Sequence, residues 1–151
     1  MITPSHQLDR RFAELRPALE QATRPSRGWI RAIRDALGMT SAQLAKRIGV
    51  TQPRIIEMEK AEIHGNISLQ SLERAAEAMG CRLVYALVPV QPLTETLQDR
   101  AEQIAARQLA SVDQTMRLEA QGVNDTARSK DALALLATEL LRRPARLWDA
   151  P

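Results

Sequence analysis

Residues 50–60, VTQPRIIEMEK, combine side chains that hydrogen-bond in a plane with side chains that make only apolar contacts. Gln52 carries a donor and an acceptor on one amide, and Arg54 carries a rigid fork of donors. An amide of this kind can pair with adenine, a guanidinium with guanine or phosphate, and an apolar side chain such as Ile56 with the methyl group of thymine. The stretch therefore predicts contact with base edges, provided that these side chains share one face of an element.

A helix would place them on one face. Thr51 is a suitable N-cap, and Pro53 would lie in the first turn, where its missing N–H costs little. Residues spaced three or four apart share one side of a helix. The inner side of the predicted helix holds Ile55, Met58 and Glu59. The outer side holds Gln52, Pro53, Ile56, Glu57 and Lys60.

A second short helix is predicted just before it, in TSAQLAKRI. Thr40 and Gln43 have the spacing of a capping box, and Gly49 ends the helix. Two short helices joined by a tight glycine turn are typical of a helix-turn-helix. We expect a preceding helix in WIRAIRDAL and a following helix that is capped by Ser68. The inward side of that following helix is predicted to hold Leu69, Leu72, Ala76 and Met79.

Basic residues are concentrated around these helices. From Arg24 to Lys60 there are eight basic and three acidic residues, whereas residues 81–151 hold nine of each sign. The whole chain has a net charge of +3. A local basic excess is compatible with a nucleic-acid partner, but a plain solvated surface is an equally good explanation of charge alone.

Residues 82–88, RLVYALV, form the best strand candidate in the chain. The run is rich in β-branched and aromatic residues and is bounded by Gly80 and Pro89. A lone strand leaves its backbone groups unpaired, so we expect it to pair with the same strand of a second copy across a two-fold axis. The alternative is a buried extended connector. The predicted dimer contacts are Leu83, Val84, Tyr85, Ala86 and Leu87.

Further amphipathic helices flank this region. The first is an N-terminal helix, in which Pro17 predicts a break or kink near Arg16. A long helix is expected from Thr94 toward Gln121, followed by an interruption in GVNDTARS and a last helix that ends before Pro144. The last two helices are predicted to pack as a hairpin, either on each other or on a partner copy. Trp148 is expected to be docked or to be a partner site.

The sequence gives little indication of catalysis, metal binding or cofactor binding. The two histidines, His6 and His64, lie in separate segments, and no glycine-rich phosphate loop is present. A single cysteine, Cys81, excludes a disulfide framework and a cysteine-based metal site. We therefore predict no enzyme, no metal and no cofactor. The absence of an 18-residue apolar run and of a signal peptide favours a soluble, cytoplasmic protein without a membrane partner.

IRDALGMTSAQLAKRIGVTQPRIIEMEK and the later SLQSLERAAEAMG resemble the helix-turn-helix domain of phage-repressor-like (Xre/Cro) regulators, over roughly residues 28–80. The resemblance implies that Gln52 reads bases and that Glu57 lies where a base reader often sits. It also implies an ion pair between Arg34 and Glu59 that bridges the first and third helices. The DNA-contacting residues predicted from this pattern and the outer face are Thr40, Ser41, Thr51, Gln52, Pro53, Arg54, Ile56, Glu57 and Lys60.

GWIRAIRDALGMT, CRLVYALVP, MRLEAQGV and the terminal Leu147–Trp148 are similar to the mobile mystery protein A family, over nearly the whole chain. That family is encoded beside a protein with a Fic domain, a domain that commonly transfers AMP from ATP to target proteins. The resemblance implies an antitoxin-like or regulatory partnership with the Fic-domain protein. Composition and periodicity do not indicate such a partner.

These observations predict a mainly α protein with a phage-repressor-like helix-turn-helix bundle, one dimerising β-strand and a C-terminal helical hairpin. The expected regions are 1–27 (N-terminal helix and connector), 28–80 (DNA-binding domain), 81–91 (dimerisation strand) and 92–151 (C-terminal helices). The predicted function is that of a homodimeric regulator that binds an inverted-repeat operator in double-stranded DNA and represses its own operon. The alternative is a protein-interaction module that neutralises a partner without specific DNA binding; RNA binding lacks the usual aromatic stacking residues.

Overall fold

Helices account for all regular structure in residues 3–118 and 126–149, the part of the chain that the computed structural model describes. In chain order they are α1 (Pro4–Gln21), α2 (Trp29–Ala36), α3 (Ser41–Ile48), α4 (Gln52–His64), α5 (Leu69–Ala78), α6 (Leu93–Leu118), α7 (Thr126–Leu141) and a 3₁₀ helix, η1 (Pro144–Trp148). The chain divides into two compact units, one formed by Pro17–Leu87 and the other by the residues up to Arg16 together with those from Val88 onward. A mainly helical fold is therefore confirmed.

The Pro17–Leu87 unit is built around a small apolar core between α2, α3, α4 and α5. Each helix contributes its inward stripe, so that burial of the core depends on all four helices together. Leu44 of α3 and Ile55 of α4 are fully buried at its centre. The other buried members are Ile30, Ala45, Met58, Ala75 and Met79. Leu69 was predicted to face inward, but it is 48% exposed, and Ala75 takes the buried position on α5.

The other unit contains the predicted hairpin of α6 and α7. Ala101 and Ala105 of α6 and Ala137 of α7 are buried where the two helices meet, and small side chains allow helix axes to approach closely. After Pro144, η1 turns back and buries Leu147 completely against the hairpin. Trp148 remains 58% exposed, with the guanidinium of Arg100 5.9 Å from its ring centre.

Two predicted interruptions of helices, one near Arg16 and one in GVNDTARS, differ from the structure. α1 runs from Pro4 to Gln21 without a break, although Pro17 lies inside it. A proline removes one intrahelical hydrogen bond, and the helical bonds after it can still form. Within the predicted interruption GVNDTARS, α7 already begins at Thr126, while residues 119–125 lie outside the described part of the chain.

The predicted β-strand at residues 82–88 is wrong for the described chain. Residues 81–89 have no regular secondary structure, and no β-strand is present in residues 3–118 and 126–149. The alternative of a buried connector also fails, because Val84, Tyr85 and Leu87 are 71%, 70% and 88% exposed. The strand-like sequence pattern therefore corresponds to an exposed apolar segment.

Candidate nucleic-acid interface

The geometry of the site begins with the short connection between α3 and α4. The Thr40 hydroxyl accepts a hydrogen bond from the Gln43 amide N–H (3.1 Å), and the Gln43 side chain accepts one from the Thr40 N–H (2.8 Å), so the predicted capping box is confirmed. Gly49 ends α3 in the left-handed conformation at φ 84°, which favours glycine. Thr51 occupies the N-cap position of α4 as predicted, but its side chain makes no capping hydrogen bond; Pro53 lies in the first turn.

The outer face of α4 is exposed as predicted. We define this face as Gln52, Pro53, Ile56, Glu57 and Lys60, and all five residues are exposed. Ile56 is 42% exposed although the core lies on the opposite side of the helix, where Ile55 is fully buried. An apolar side chain beside polar groups on a solvent-facing helix can contact another molecule without disturbing the core.

Gln52 is positioned by the preceding helix. Its amide nitrogen donates to the hydroxyl oxygen of Ser41 over 3.0 Å. Since Ser41 begins α3 and Gln52 begins α4, this hydrogen bond joins the N-terminal ends of the two helices. Both ends carry partial positive charge, which favours a nearby anion. The structure thus brings together two of the residues that were predicted to contact DNA.

Arg54 lies beside the outer face rather than on it. Its guanidinium contacts the carboxylate of Glu57 at 3.2 Å, with both side chains more than half exposed. It also borders a surface concavity of about 290 Å³ that is lined by Asn66, Ser68 and Ser71. These three polar residues were not among the predicted DNA contacts. The sequence signal for Ser68 was a helix cap, and that capping bond with the Ser71 N–H is present at 3.1 Å.

The inner side of α4 is tied to α2 by a buried ion pair. Arg34 Nε lies 2.7 Å from Glu59 Oε1, with side chains only 12% and 9% exposed, so the predicted pair is confirmed. Arg34 also donates to the Met39 carbonyl over 2.9 Å. The hydrogen bond to Glu59 raises the pKa of the Arg34 guanidinium; burial opposes this rise, while the charges of Glu59 and Asp35 add to it. The pair fixes the orientation of α4 relative to α2.

The helix-turn-helix family (HTH_3) matches residues 30–85 of the chain. These residues form an Xre-type helix-turn-helix domain. Such a domain indicates a DNA-binding transcriptional regulator. No curated protein and no solved structure matches the chain.

The C-terminal end of α4 in this helix-turn-helix domain holds a buried carboxylate that the sequence analysis missed. Glu62 is 4% exposed and accepts hydrogen bonds from the Trp29 N–H (2.7 Å) and the Ile30 N–H (3.1 Å), so it caps α2 from outside that helix. Its spacing was the available signal, because position 62 lies on the same helical stripe as Ile55 and Glu59. Arg24 donates to the Glu62 carbonyl over 2.5 Å and therefore ties the connector before α2 to the same end of α4.

Several basic residues in and just before the helix-turn-helix domain make tertiary contacts. Arg34 is largely buried in its pair with Glu59, whereas Arg24 and Arg47 are exposed but donate to backbone carbonyls, Arg47 to that of Ala78 over 2.8 Å. Lys46 and Lys60 are exposed. The basic excess of the sequence is therefore shared between tertiary contacts and charge available at the surface.

The described residues were also searched for candidate metal-binding groups and membrane-spanning helices. Within 3–118 and 126–149, no group of three or more histidine, cysteine, aspartate or glutamate side chains is placed to hold a metal ion. Among the helices of those same ranges, none is both long and apolar enough to cross a membrane.

Proposed function

We propose that this protein is a sequence-specific DNA-binding regulator that acts as a homodimer on an inverted-repeat operator and represses its own operon. The observation that carries the proposal is the outer face of α4, where the exposed Gln52 is held by Ser41 and stands one helical turn before the exposed Ile56. An amide and an apolar group in this arrangement match the adenine edge and the thymine methyl of the major groove. Helix-turn-helix domains present the start of their recognition helix in this way.

The residues of this interface have different roles in the proposal. Gln52 contacts a base edge and Ile56 a thymine methyl, whereas Pro53 makes only van der Waals contact because it has no N–H. Lys60, farther along α4, contacts phosphate. The complete proposed interface is Thr40, Ser41, Thr51, Gln52, Pro53, Arg54, Ile56, Glu57 and Lys60.

Arg54 is proposed to contact a phosphate rather than guanine, because it lies beside the outer face. Its ion pair with Glu57 is exposed, and pairs of this kind contribute only about 0–1 kcal/mol. A phosphate can therefore replace Glu57 as the partner of Arg54 at little cost. Glu57 would then be available to accept a hydrogen bond from cytosine N4.

Self-association is proposed to use the apolar segment 83–87, in which Val84, Tyr85 and Leu87 are exposed. Soluble monomers rarely leave contiguous apolar side chains in water, and a two-fold axis would let two copies cover the same segment of each other. The same axis would present two copies of α4 to DNA, which is the reason for proposing an inverted-repeat operator.

A Fic-domain partner is part of the proposal through the resemblance to the mobile mystery protein A family alone. In this scheme residues 28–80 bind DNA, residues 81–91 join two copies, and the flanking regions 1–27 and 92–151 hold the partner. Copurification with a Fic-domain protein encoded beside this chain is the expected result. The partner would be lost on deletion of a flanking region while DNA binding is retained.

The decisive experiment compares Gln52→Ala with Gln70→Ala, a matched exposed glutamine on α5, in binding titrations on operator and scrambled duplexes. Gln52→Ala should lose roughly 1–3 kcal/mol on the operator and little on the scrambled duplex, because it removes a base contact. Gln70→Ala should bind both duplexes like the wild type. Equal weakening on both duplexes would show that α4 does not read sequence through Gln52.

Lys60→Ala supplies the contrasting result. Removal of a phosphate contact should weaken binding to both duplexes and reduce the salt dependence by about one unit of slope. If neither Gln52→Ala nor Lys60→Ala alters binding, the protein-interaction module replaces the DNA-binding proposal.

A further inference from the structure

The C-terminal end of α4 is held by a side chain from the connector that precedes α2. Arg24 donates from Nη1 to the Glu62 carbonyl over 2.5 Å and from Nη2 to the Ile63 carbonyl over 3.2 Å. The last carbonyls of a helix lack partners within the helix, and a cation is favoured at this negative end of the helix dipole. Arg24 therefore caps α4, although it lies before residue 30, where the helix-turn-helix match begins.

Glu62 makes the reverse contact through its side chain. The residue is 4% exposed, and its carboxylate accepts from the Trp29 and Ile30 N–H groups at the start of α2. The carbonyl and the carboxylate of Glu62 thus bind two consecutive parts of the chain, the connector and α2. This double attachment holds the connector against the end of α4 and keeps Arg24 within reach of the terminal carbonyls.

The end of α4 that Arg24 caps also carries the proposed phosphate contact. Lys60 lies in the C-terminal part of α4, and His64 Nδ1 lies 2.7 Å from the Lys60 carbonyl oxygen. Lys60 is exposed, and the reach of its long side chain depends on the backbone that carries it. Fraying of the last turn would let this backbone move relative to Gln52 at the other end of α4. Lys60 and Gln52 would then no longer be held in one arrangement for DNA.

We propose that Arg24 is a positioning residue for DNA binding, which holds the last turn of α4 so that Lys60 reaches a phosphate. The proposal rests on the proposed function, in which Lys60 contacts the DNA backbone. It extends the DNA-binding region from the predicted start at residue 28 to residue 24. In this scheme Arg24 acts through Lys60 and makes no contact with DNA itself.

A double-mutant cycle on DNA affinity tests this role. The full-length wild type, Arg24→Ala, Lys60→Ala and the double variant are titrated on a duplex from upstream of the chain's own gene and on a scrambled duplex. Arg24→Ala should raise Kd about two- to fivefold on both duplexes, the effect expected for loss of a cation at a helix end. In the Lys60→Ala background the same change should leave Kd unaltered, because the contact that Arg24 supports is already absent.

Two further variants separate positioning from charge. Arg27→Ala removes another exposed arginine of the connector and should bind both duplexes like the wild type. Arg24→Lys keeps the charge but loses the fork that binds two carbonyls, so its Kd should lie between those of the wild type and Arg24→Ala. The positioning role is overturned if Arg27→Ala weakens binding as much as Arg24→Ala does. It is also overturned if Arg24→Ala weakens binding equally with and without Lys60.

Hydrogen exchange measures the cap in the absence of DNA. Arg24→Ala should increase the exchange rates of the backbone amides at residues 63–66 about two- to fivefold and leave those at residues 54–58 unchanged. Unchanged exchange at residues 63–66 would show that Arg24 does not hold this turn. A uniform increase throughout α4 would show a global loss of stability and would also contradict the proposal.

These results separate the positioning role from the proposed function. If exchange rises at residues 63–66 but neither Gln52→Ala nor Lys60→Ala alters DNA binding, the DNA-binding function is wrong and the positioning role falls with it. If both of those variants weaken binding and Arg24→Ala does not, only the positioning role is wrong.

Discussion

Two arginine–glutamate pairs involving α4 have the same chemistry in different surroundings. Arg34 and Glu59 lie 2.7 Å apart with side chains 12% and 9% exposed, whereas Arg54 and Glu57 lie 3.2 Å apart and are mostly in solvent. Removing one member of a buried pair leaves a charge without water or a partner. The exposed pair can be broken with little cost because water solvates both groups.

Arg34→Leu is therefore expected to lower the free energy of unfolding by about 3–5 kcal/mol, since it leaves Glu59 buried and unpaired. Arg54→Leu is the matched control and should change stability by about 1 kcal/mol or less. Urea denaturation of both variants gives the comparison. Similar losses for the two substitutions would mean that the Arg34–Glu59 pair does not hold α4 against α2.

At the scale of elements, the start of α2 depends on the close fit between Gly28 and Glu62. Gly28 has φ 81° and ψ 162°, a region that is essentially restricted to glycine. A Cβ at position 28 would lie 2.6 Å from Glu62 Oε2, the oxygen that accepts from the Ile30 N–H. An alanine there would both strain the backbone and displace the carboxylate that caps α2.

A double-mutant cycle separates these two effects. Gly28→Ala should destabilise the protein strongly, but less so in a Glu62→Ala background, where the clash is absent; the expected coupling is roughly 0.5–3 kcal/mol. Gly49→Ala is the control, because its φ of 84° is also positive and no atom lies within 4 Å of the added Cβ. Its effect should add to that of Glu62→Ala. An additive Gly28–Glu62 cycle would show that the cap tolerates the methyl group.

A second helix is capped from a distance, by Asp9 of α1. Its carboxylate accepts from the Leu93 N–H (2.6 Å), the Thr94 N–H (3.0 Å) and the Thr94 hydroxyl (2.8 Å) at the start of α6. Desolvation raises the pKa of Asp9, but these hydrogen bonds and the nearby His6 outweigh it, so the pKa lies below the ordinary 3.8. Because the folded-state pKa is lowered, the cap stabilises above pH 3.8 and is lost as the pH falls through the folded value.

Because the pKa of Asp9 is lowered in the folded protein, the stability lost in Asp9→Ala should depend on pH. The variant should have a lower Tm than the wild type near neutral pH, and the difference should shrink below about pH 4 as the wild-type carboxylate becomes protonated. Glu14→Ala, an exposed change on the same helix, should show no such convergence. A Tm difference that stays constant down to pH 3 would rule out the charged cap.

The sequence predicted correctly those features that depend on residues close together in the chain. The capping box at Thr40 and Gln43 and the αL glycine at position 49 follow from spacing over a few residues, and both are present. The same is true of the outer face of α4. The cap by Glu62 joins positions more than 30 residues apart. The position of Glu62 on the inward stripe of α4 could predict that it is buried, but not that it accepts hydrogen bonds from the start of α2. The apolar run at 82–88 was predicted to be a strand from its residue types alone, but strand structure depends on hydrogen bonds to a neighbouring strand, and the segment has no such neighbour within the described residues.

At the scale of the molecule, the helix-turn-helix domain and the exposed segment Val84–Leu87 belong to the same compact unit. Dimer formation through this segment would fix the spacing of two copies of α4. The α6–α7 hairpin belongs to the other unit, where Val112 and Leu135 are exposed apolar residues. If the proposed partner binds this unit, substitutions there should alter partner binding without altering DNA recognition.

The symmetry of the operator provides the last prediction. A two-fold dimer places its α4 helices on half-sites separated by about one helical turn of DNA, roughly 10–10.5 base pairs, or by a multiple of that distance. An insertion of about 5 base pairs between the half-sites rotates one of them by half a turn, to the opposite face of the duplex. Wild-type affinity should then fall at least tenfold, to that of a single half-site. Leu87→Asp, which weakens the dimer, should bind the original and the lengthened operator equally, because each copy reads its half-site alone. Equal wild-type binding to the two duplexes would mean that a single copy recognises the whole operator.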